Sequence, residues 1–344
     1  MRLKQTFVFT FLGIVLSTPT LLSTQTPPQQ EIQQKLTSLF GPNVFVFSSS
    51  TPAAQLQERI NKVYALQEHA EFGSSRYAFL FLPGDYHVNI PVGFYTEVAG
   101  LGASPDAVHV TGNMHADASL PRNNATCTFW RAAEGLTVTP STGTLQWATS
   151  QAISFRRMHV LGNMVLHQNH GWASGGWISD SVIDGNVDSG SQQQWISRNA
   201  EWKSWTGSNW NMVFVGVKNP PSGNWPDPAY TRIDRTPISR EKPFLFVDAH
   251  NNLNVLVRHF NTTLSESAGT TAPPPAEPFH SRTSMSLTPL TPQPLSTPHS
   301  PPAKTSFSHP ASTTSPNPSG SLTQTPSSSA LVTPRCFPPT APLQ

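Results

Sequence analysis

Charge is scarce in this chain. Only 12% of its 344 residues are charged, and the net charge is +2. The basic residues are scattered, with Arg156-Arg157 the only adjacent pair. A nucleic-acid surface needs a clustered basic face, so that class of partner is excluded. Cysteine is nearly missing. Cys127 and Cys336 lie far apart, no CxxC or zinc-like spacing exists, and no structural disulfide is expected, although an exported chain would permit one. Long apolar runs are missing too. The stretch from Phe7 to Leu16 is too short to span a bilayer comfortably. It follows Arg2 and Lys4 and precedes Pro19 and small residues near Ser23, which is the layout of a secretory signal over residues 1–23. No clean Ala-x-Ala site is present, so a signal anchor is the alternative. The expectation is a secreted, extracellular monomer with no nucleic acid and no membrane contact after cleavage.

What the chain does have is a phrase that repeats. His109-Val110-Thr111-Gly112-Asn113-Met114 returns as His159-Val160-Leu161-Gly162-Asn163-Met164 and, in variant form, as Val182-Ile183-Asp184-Gly185-Asn186-Val187. Leu136-Thr137-Val138 sits one step before Met158-His159-Val160, so the recurring step is about 22 to 28 residues. β-Branched residues favour extended backbone, and Gly-Asn supplies residues that accept positive φ for a sharp turn. One such unit cannot bury its apolar side alone, so successive units must stack as a β-solenoid.

The organisation follows from this pattern. Residues 24–35 are Gln/Thr/Pro-rich and read as a flexible leader. Residues 36–260 form the solenoid, and 261–344 a Pro/Ser/Thr-rich disordered tail. Val44 to Phe47 reads as a strand. Leu56, Ile60, Val63 and Leu66 then mark a helix with Thr51 as N-cap and Pro52 at its first position, placed over the N-terminal end of the stack. About half of the 34 prolines lie beyond Ala268, and Tyr and Trp are absent after Tyr230. The tail is either a natural stalk or a frame-shift product that replaces further coils.

The stretches Leu80-Phe81-Leu82-Pro83-Gly84-Asp85-Tyr86 and Tyr95-Thr96-Glu97-Val98-Ala99-Gly100-Leu101-Gly102 resemble the first coils of pectin lyase-fold proteins. Ala173-Ser174-Gly175-Gly176-Trp177-Ile178, Gln192-Gln193-Gln194-Trp195 and Ser239-Arg240-Glu241-Lys242-Pro243 resemble a narrower set of secreted bacterial proteins, often labelled coagulation factor 5/8 type domain-containing. The resemblance covers about residues 36–257. It implies an all-β, right-handed parallel β-helix, capped N-terminally by a helix. It attaches no activity, and this chain lacks the discoidin-like module that many of the set carry.

Many parallel β-helix enzymes act on polysaccharides, either as glycoside hydrolases or as lyases. Hydrolysis needs two carboxyl groups about 5 to 9.5 Å apart. Stacked coils lie about 4.8 Å apart, so carboxylates in neighbouring columns reach that separation. Aligning Phe155, Ile178 and Ile196 puts Arg157, Asp180 and Arg198 in one column, with Asp184 and Trp202 nearby. That column is either an ion-paired structural stripe or a site built around Asp180. Asp180, Asp184 and Glu201 are the candidate acids.

Trp177, Trp195 and Trp202, among six tryptophans between 172 and 210, are candidate sugar platforms, with Arg157 and Arg198 beside them. About half of these tryptophans are expected in the core. No cofactor is called for. Calcium held by Asp180, Asp184 and Asp188 is the one metal reading the carboxylates invite. His159, His167 and His170 suggest zinc, but the repeat accounts for His109 and His159 equally well. The sequence therefore points to an exported carbohydrate-active protein that hydrolyses an extracellular polysaccharide. The alternative is a non-catalytic surface protein that binds glycan or cell wall through a Trp-rich face.

Overall fold

Short stretches of alternating side chains, recurring at intervals of about a coil, can bury one side only by pairing with the next copy. The computed structural model describes residues 28–258 and 260–264. The chain divides between Met285 and Ser286, and every described residue belongs to the first unit. The chain runs repeatedly through three faces. The first face is a nine-stranded parallel sheet of Val44–Phe47, Tyr77–Phe81, Thr96–Gly100, Arg131–Glu134, Ser154–Arg156, Trp177–Ser179, Gln194–Arg198, Asn211–Val215 and Tyr230–Ile233. Gly84–His87, Val108–Thr111, Thr137–Thr139 and His159–Val160 form the second face. Ile90–Pro91, Met114–Ala116, Thr144–Trp147 and Asn163–Val165 form the third. Val182–Asp188 and Glu201–Thr206 run through both of these faces and join them into one sheet.

On the first face, Phe79, Val98, Ala133, Phe155 and Ile178 pair in succession and are fully buried. Each such side chain contributes roughly 1.5 to 3 kcal/mol where it is a full-sized apolar group. The steps are 19, 35, 22 and 23 residues, a wider spread than the expected 22 to 28. The long step holds the segment 117–130. Cys127 in that segment is buried, and Cys336 lies outside the described residues.

The repeated phrase is a corner. His109, Thr137, His159 and Val182 pair across successive coils, so the first and second copies of the phrase are two coils apart and the second and third one coil apart. The first two copies each end a second-face strand, turn at Gly-Asn and begin a third-face strand; the third lies inside the continuous strand Val182–Asp188, whose register shifts between Ile183 and Asn186. The glycine's role differs from the expected one. Only Gly112 of the three has positive φ. All three sit where a Cβ would collide with the coil below: 2.0 Å from the Val88 carbonyl at Gly112, 2.8 Å from the Gly143 carbonyl at Gly162, and 2.7 Å from the Gly162 carbonyl at Gly185. The asparagine serves the stack rather than the turn. Asn89 Oδ1 accepts from Asn113 N at 2.8 Å, and Asn163 Oδ1 accepts from Asn186 N at 2.9 Å.

The corner between the first and second faces is built differently. Gly135, Arg157, Asp180, Asn199 and Gly216 follow one another up the stack, all at positive φ between 49° and 72°. Their amides bond upward in sequence, Arg157 N to Ser179 O, Asp180 N to Arg198 O and Asn199 N to Val215 O.

Helix α1, Pro28–Phe40, occupies part of the segment expected to be a flexible leader. Ile32 and Leu36, one turn apart, bury themselves with Val46, Leu80, Leu82 and Leu101 on the outside of the first face. Helix α2, Ala53–Gln67, follows the first strand and takes the place of second- and third-face strands in that coil, packing on Ile90–Pro91. Pro52, not Thr51, is its N-cap, with no side-chain cap bond. Leu56, Ile60 and Val63 face inward as the spacing predicts, but Leu66 is 63% exposed. Gln67 takes its place, with Nε2 donating to Phe94 O at 2.7 Å.

After the last first-face strand the chain returns over the outside of that face as Thr236–Ser239 and Phe244–Val247. These pair antiparallel with Asn261–Leu264 and Leu253–Leu256. Pairing thus continues four residues into the segment expected to be tail. Residues 1–27 and 265–344, which hold the signal and nearly all of the tail, lie outside the described residues.

Candidate functional site

Outward-facing residues of a parallel stack line up coil upon coil, so an uncovered sheet face becomes a groove. One outward column of the first face runs Glu97, Ala132, Ser154, Trp177, Ile196, Val213 and Thr231. Two cavities lie along it and share Ala152 and Ile153. One, about 390 Å³, is bordered by Arg76, Tyr95, Glu97 and Trp130; the other, about 450 Å³, by Trp177, Gln194 and Asn211. Tyr95 and Trp130 both turn at positive φ and stack face to face at 4.9 Å. Arg76 lies 3.4 Å from the Tyr95 ring centre, which leaves the far side of Trp130 toward solvent, 37% exposed. Trp177 is half-buried. Its Nε1 donates to Ser179 Oγ at 2.9 Å and Arg198 sits 5.0 Å from its ring, so both the edge and the rotamer are fixed. Rigid aromatic faces beside amide side chains suit a ligand with one apolar face and peripheral hydroxyls.

The parallel outward column runs Glu134, Arg156, Ser179 and Arg198, and the returning strand covers it. Arg156 forks onto Glu134, with Nη2 to Oε1 at 2.6 Å and Nε to Oε2 at 3.1 Å. Lys242 Nζ donates to Glu134 Oε2 at 2.9 Å. Burial raises the Glu134 carboxyl, but Arg156 and Lys242 outweigh that and hold it below its ordinary value. Arg198 donates to both oxygens of the buried Glu241, at 2.7 and 2.8 Å. Arg157 lies 3.2 Å from the Phe244 ring centre; burial lowers its guanidinium to about 10, so it stays charged at neutral pH. These contacts strap the returning segment to the coils.

The structure separates most of the residues singled out from the sequence. Ile178 lies opposite Ser197, and Ile196 opposite Trp177, so the assumed register is off by one coil position. Asn199, not Arg198, joins Arg157 and Asp180 at the corner. Asp180 is fully buried there. Asp184 and Glu201 stand on the second face, away from the groove. Asp184 Oδ1 is 3.2 Å from His159 Nε2, and Glu201 Oε1 is 2.8 Å from Lys218 Nζ. Trp195 and Trp202 are 2% and 1% exposed, which places them in the core rather than on an open face. Trp177 is the predicted platform that stands half-buried on the groove, while Trp195 borders the same cavity but is only 2% exposed. Sequence reasoning missed Tyr95, Trp130, Glu134 and Glu241. The neighbours of Tyr95, Trp130 and Glu134 become visible only once the register across the 35-residue step is known, and Glu241 comes from the returning segment.

No three of the His, Asp and Glu residues converge as a metal would require, among the described residues. Asp188 turns instead to His167, 3.3 Å away. His159 Nδ1 is 2.8 Å from Asp106 Oδ1. Burial raises the Asp106 carboxyl, while hydrogen bonds from Thr137 and His159 outweigh that and hold it low.

No family model matches the chain. It is 49% identical over 210 residues to an exo-β-1,3-glucanase of Streptomyces sp. (strain SirexAA-E / ActE), a match covering 60% of this chain and 34% of that protein. Among solved structures it is similar to sacteLam55A from Streptomyces sp. SirexAA-E, with a TM-score of 0.65 and 46% identity over 68% of this chain and 43% of that one. A variant of the same protein in complex with glucose matches with a TM-score of 0.64 and 46% identity, over 66% of this chain and 41% of that one. The chain therefore spans about a third of the length of the curated relative it matches. The match overturns the resemblance to pectin lyase-fold and coagulation factor 5/8 type proteins: the phrases that suggested it are coil-forming phrases, which stacking imposes whatever the family.

Proposed function

We propose that this chain engages β-1,3-glucan as a glycoside hydrolase, with the polysaccharide lying along the first-face groove. The 49% identity to an exo-β-1,3-glucanase carries this reading. The groove supports it: Trp130 and Trp177 offer stacking faces, and Gln194 and Asn211 offer amides to hydroxyls. Right-handed winding of the coil follows from the general handedness of crossovers between parallel strands. A polymeric substrate is met outside the cell, in keeping with the secretory signal read over residues 1–23. Glu97, half-exposed and 3.9 Å from Lys242 Nζ, is the carboxylate of the groove and the acid this reading favours there.

A second reading, glucan binding without cleavage, has its own observation. Hydrolysis needs two carboxyl groups. Asp180 is buried, Glu134 is held by Arg156 and Lys242, and Asp184 and Glu201 face His159 and Lys218.

The deciding experiment offers laminarin, cellulose and pectin to the purified full chain, measuring retention and glucose release together. Release from laminarin alone, abolished by Glu97→Gln and unchanged by Asp184→Asn or Glu201→Gln, is the expected result. Loss in Asp184→Asn or Glu201→Gln moves the chemistry to the second face. Retention without release establishes the binding reading. Neither retention nor release on laminarin contradicts both.

A further inference from the structure

A second cleft lies on the other side of the molecule, between α2 and the third face, and no part of the groove reading uses it. Its volume is about 640 Å³, larger than either cavity of the groove and within the range of small-ligand sites. Its lining holds no lysine, arginine or carboxylate. The polar groups that face it are amides, an imidazole, a phenol and the hydroxyls of Thr142 and Thr144, and most of them have one end anchored in the protein.

Asp117, just outside the lining, anchors three of them. Gln146 Nε2 donates to Asp117 Oδ1 at 2.7 Å, His115 Nδ1 lies 3.0 Å from the same oxygen, and the Tyr64 hydroxyl donates to Oδ2 at 3.4 Å. Gln146 Oε1 and His115 Nε2 are thereby turned to the other side. Burial raises the Asp117 carboxyl, but the hydrogen bonds from His115 and Tyr64 outweigh that and keep it an acceptor. Asn113 Oδ1 is occupied by Ser141 Oγ at 2.8 Å, and Asn61 Oδ1 by Gln57 Nε2 at 2.9 Å, so both amides present their Nδ2 donors. The cleft thus offers fixed donors from Asn61 and Asn113 and fixed acceptors from Gln146 and His115, with Tyr64 as an aromatic edge. It carries no charge of its own.

A charged ligand gains nothing from such a lining. A ring bearing several neighbouring hydroxyls, each both donor and acceptor, can satisfy every one of these atoms. We propose that the cleft between α2 and the third face is a second binding site for a neutral pyranose. Two sources have that chemistry, a free monosaccharide and the end of a glucan chain. Binding here does not require the groove reading to hold.

The test is calorimetric titration of the full chain carrying Trp177→Ala, which removes a groove platform, with glucose and separately with laminaritriose. One saturable event with either sugar is expected, weakened roughly tenfold by Asn61→Ala combined with Gln146→Ala, as befits two lost hydrogen bonds. Glucose binding alone identifies a monosaccharide site; preference for laminaritriose identifies a chain-end site. Both substitutions avoid the Asn113 corner bonds, so circular dichroism should match the parent, with a small drop in melting temperature from the lost Gln146–Asp117 and Gln57–Asn61 bonds. No heat change with either sugar, or a heat change indifferent to the double substitution, overturns the proposal. Loss of laminarin retention in Trp177→Ala while this site persists would separate the two sites. Failure of the groove reading leaves this result untouched.

Discussion

Two corners of one coil solve the same problem by different chemistry. Where the second face turns into the third, each coil settles its own backbone: a glycine lets the coils approach, and an asparagine oxygen takes the amide of the coil above. That corner is locally sufficient and partly exposed. Where the first face turns into the second, the backbone goes left-handed at residues as unlike as Gly135, Arg157, Asp180 and Asn199. Arg157, Asp180 and Asn199 are buried, and a segment far away in sequence covers them. Thr236 donates to Asn199 Oδ1 at 2.6 Å, and Glu241 accepts from Arg198. One corner is written in a phrase, the other in long-range pairing.

The sharpest way to break the comparison is to remove a charge from the strapped corner. Glu134→Ala strands the buried Arg156, and a loss of about 3 to 5 kcal/mol in urea unfolding is expected. Glu134→Leu with Arg156→Met should restore most of it, because the pair fixes geometry more than it adds stability. At the other corner, Gly112→Ala drives a methyl onto the Val88 carbonyl and should cost about 2 to 3 kcal/mol. Asn163→Ala removes one exposed acceptor and should cost about 1 kcal/mol. If Asn163→Ala proves costlier than Glu134→Ala, the two corners have been ranked the wrong way round.

Acid should separate them as well. The Glu134 carboxyl is held below its ordinary 4.5 in the folded chain, so its contribution is complete above that value and drains away as pH falls below 4.5 through the lower folded value. The unfolding midpoint should therefore drop more steeply below pH 4.5 in the parent than in Glu134→Leu with Arg156→Met. Equal slopes would remove Glu134 from the account.

The same contrast explains what could be read in advance. The phrase around Gly112, Gly162 and Gly185 made stacking legible, and Leu56, Ile60 and Val63 gave away α2. The reason assigned to the glycines held at Gly112 and failed at Gly162 and Gly185, because close approach between coils leaves the same residue as a positive-φ turn. Arg157, Asp180 and Asn199 share a conformation but no residue type, so the register slipped by one there. That slip carried Arg198 into the wrong column and put Trp195 and Trp202 on the wrong side of the sheet. Burial of α1 was hidden because Ile32 and Leu36 sit in a Gln-rich setting and gain their partners only from strands far down the chain. Tyr95 and Trp130, at one end of the groove, lie 35 positions apart and meet only through the 35-residue step.

The groove is the central claim, and laminarin affinity tests it most directly. The full chain should bind laminarin with a Kd that rises roughly tenfold or more in Trp130→Ala and in Trp177→Ala. Trp172→Ala, exposed but outside the groove, should leave it unchanged. Equal affinities for all three variants and the parent would contradict a glucan path along the first face.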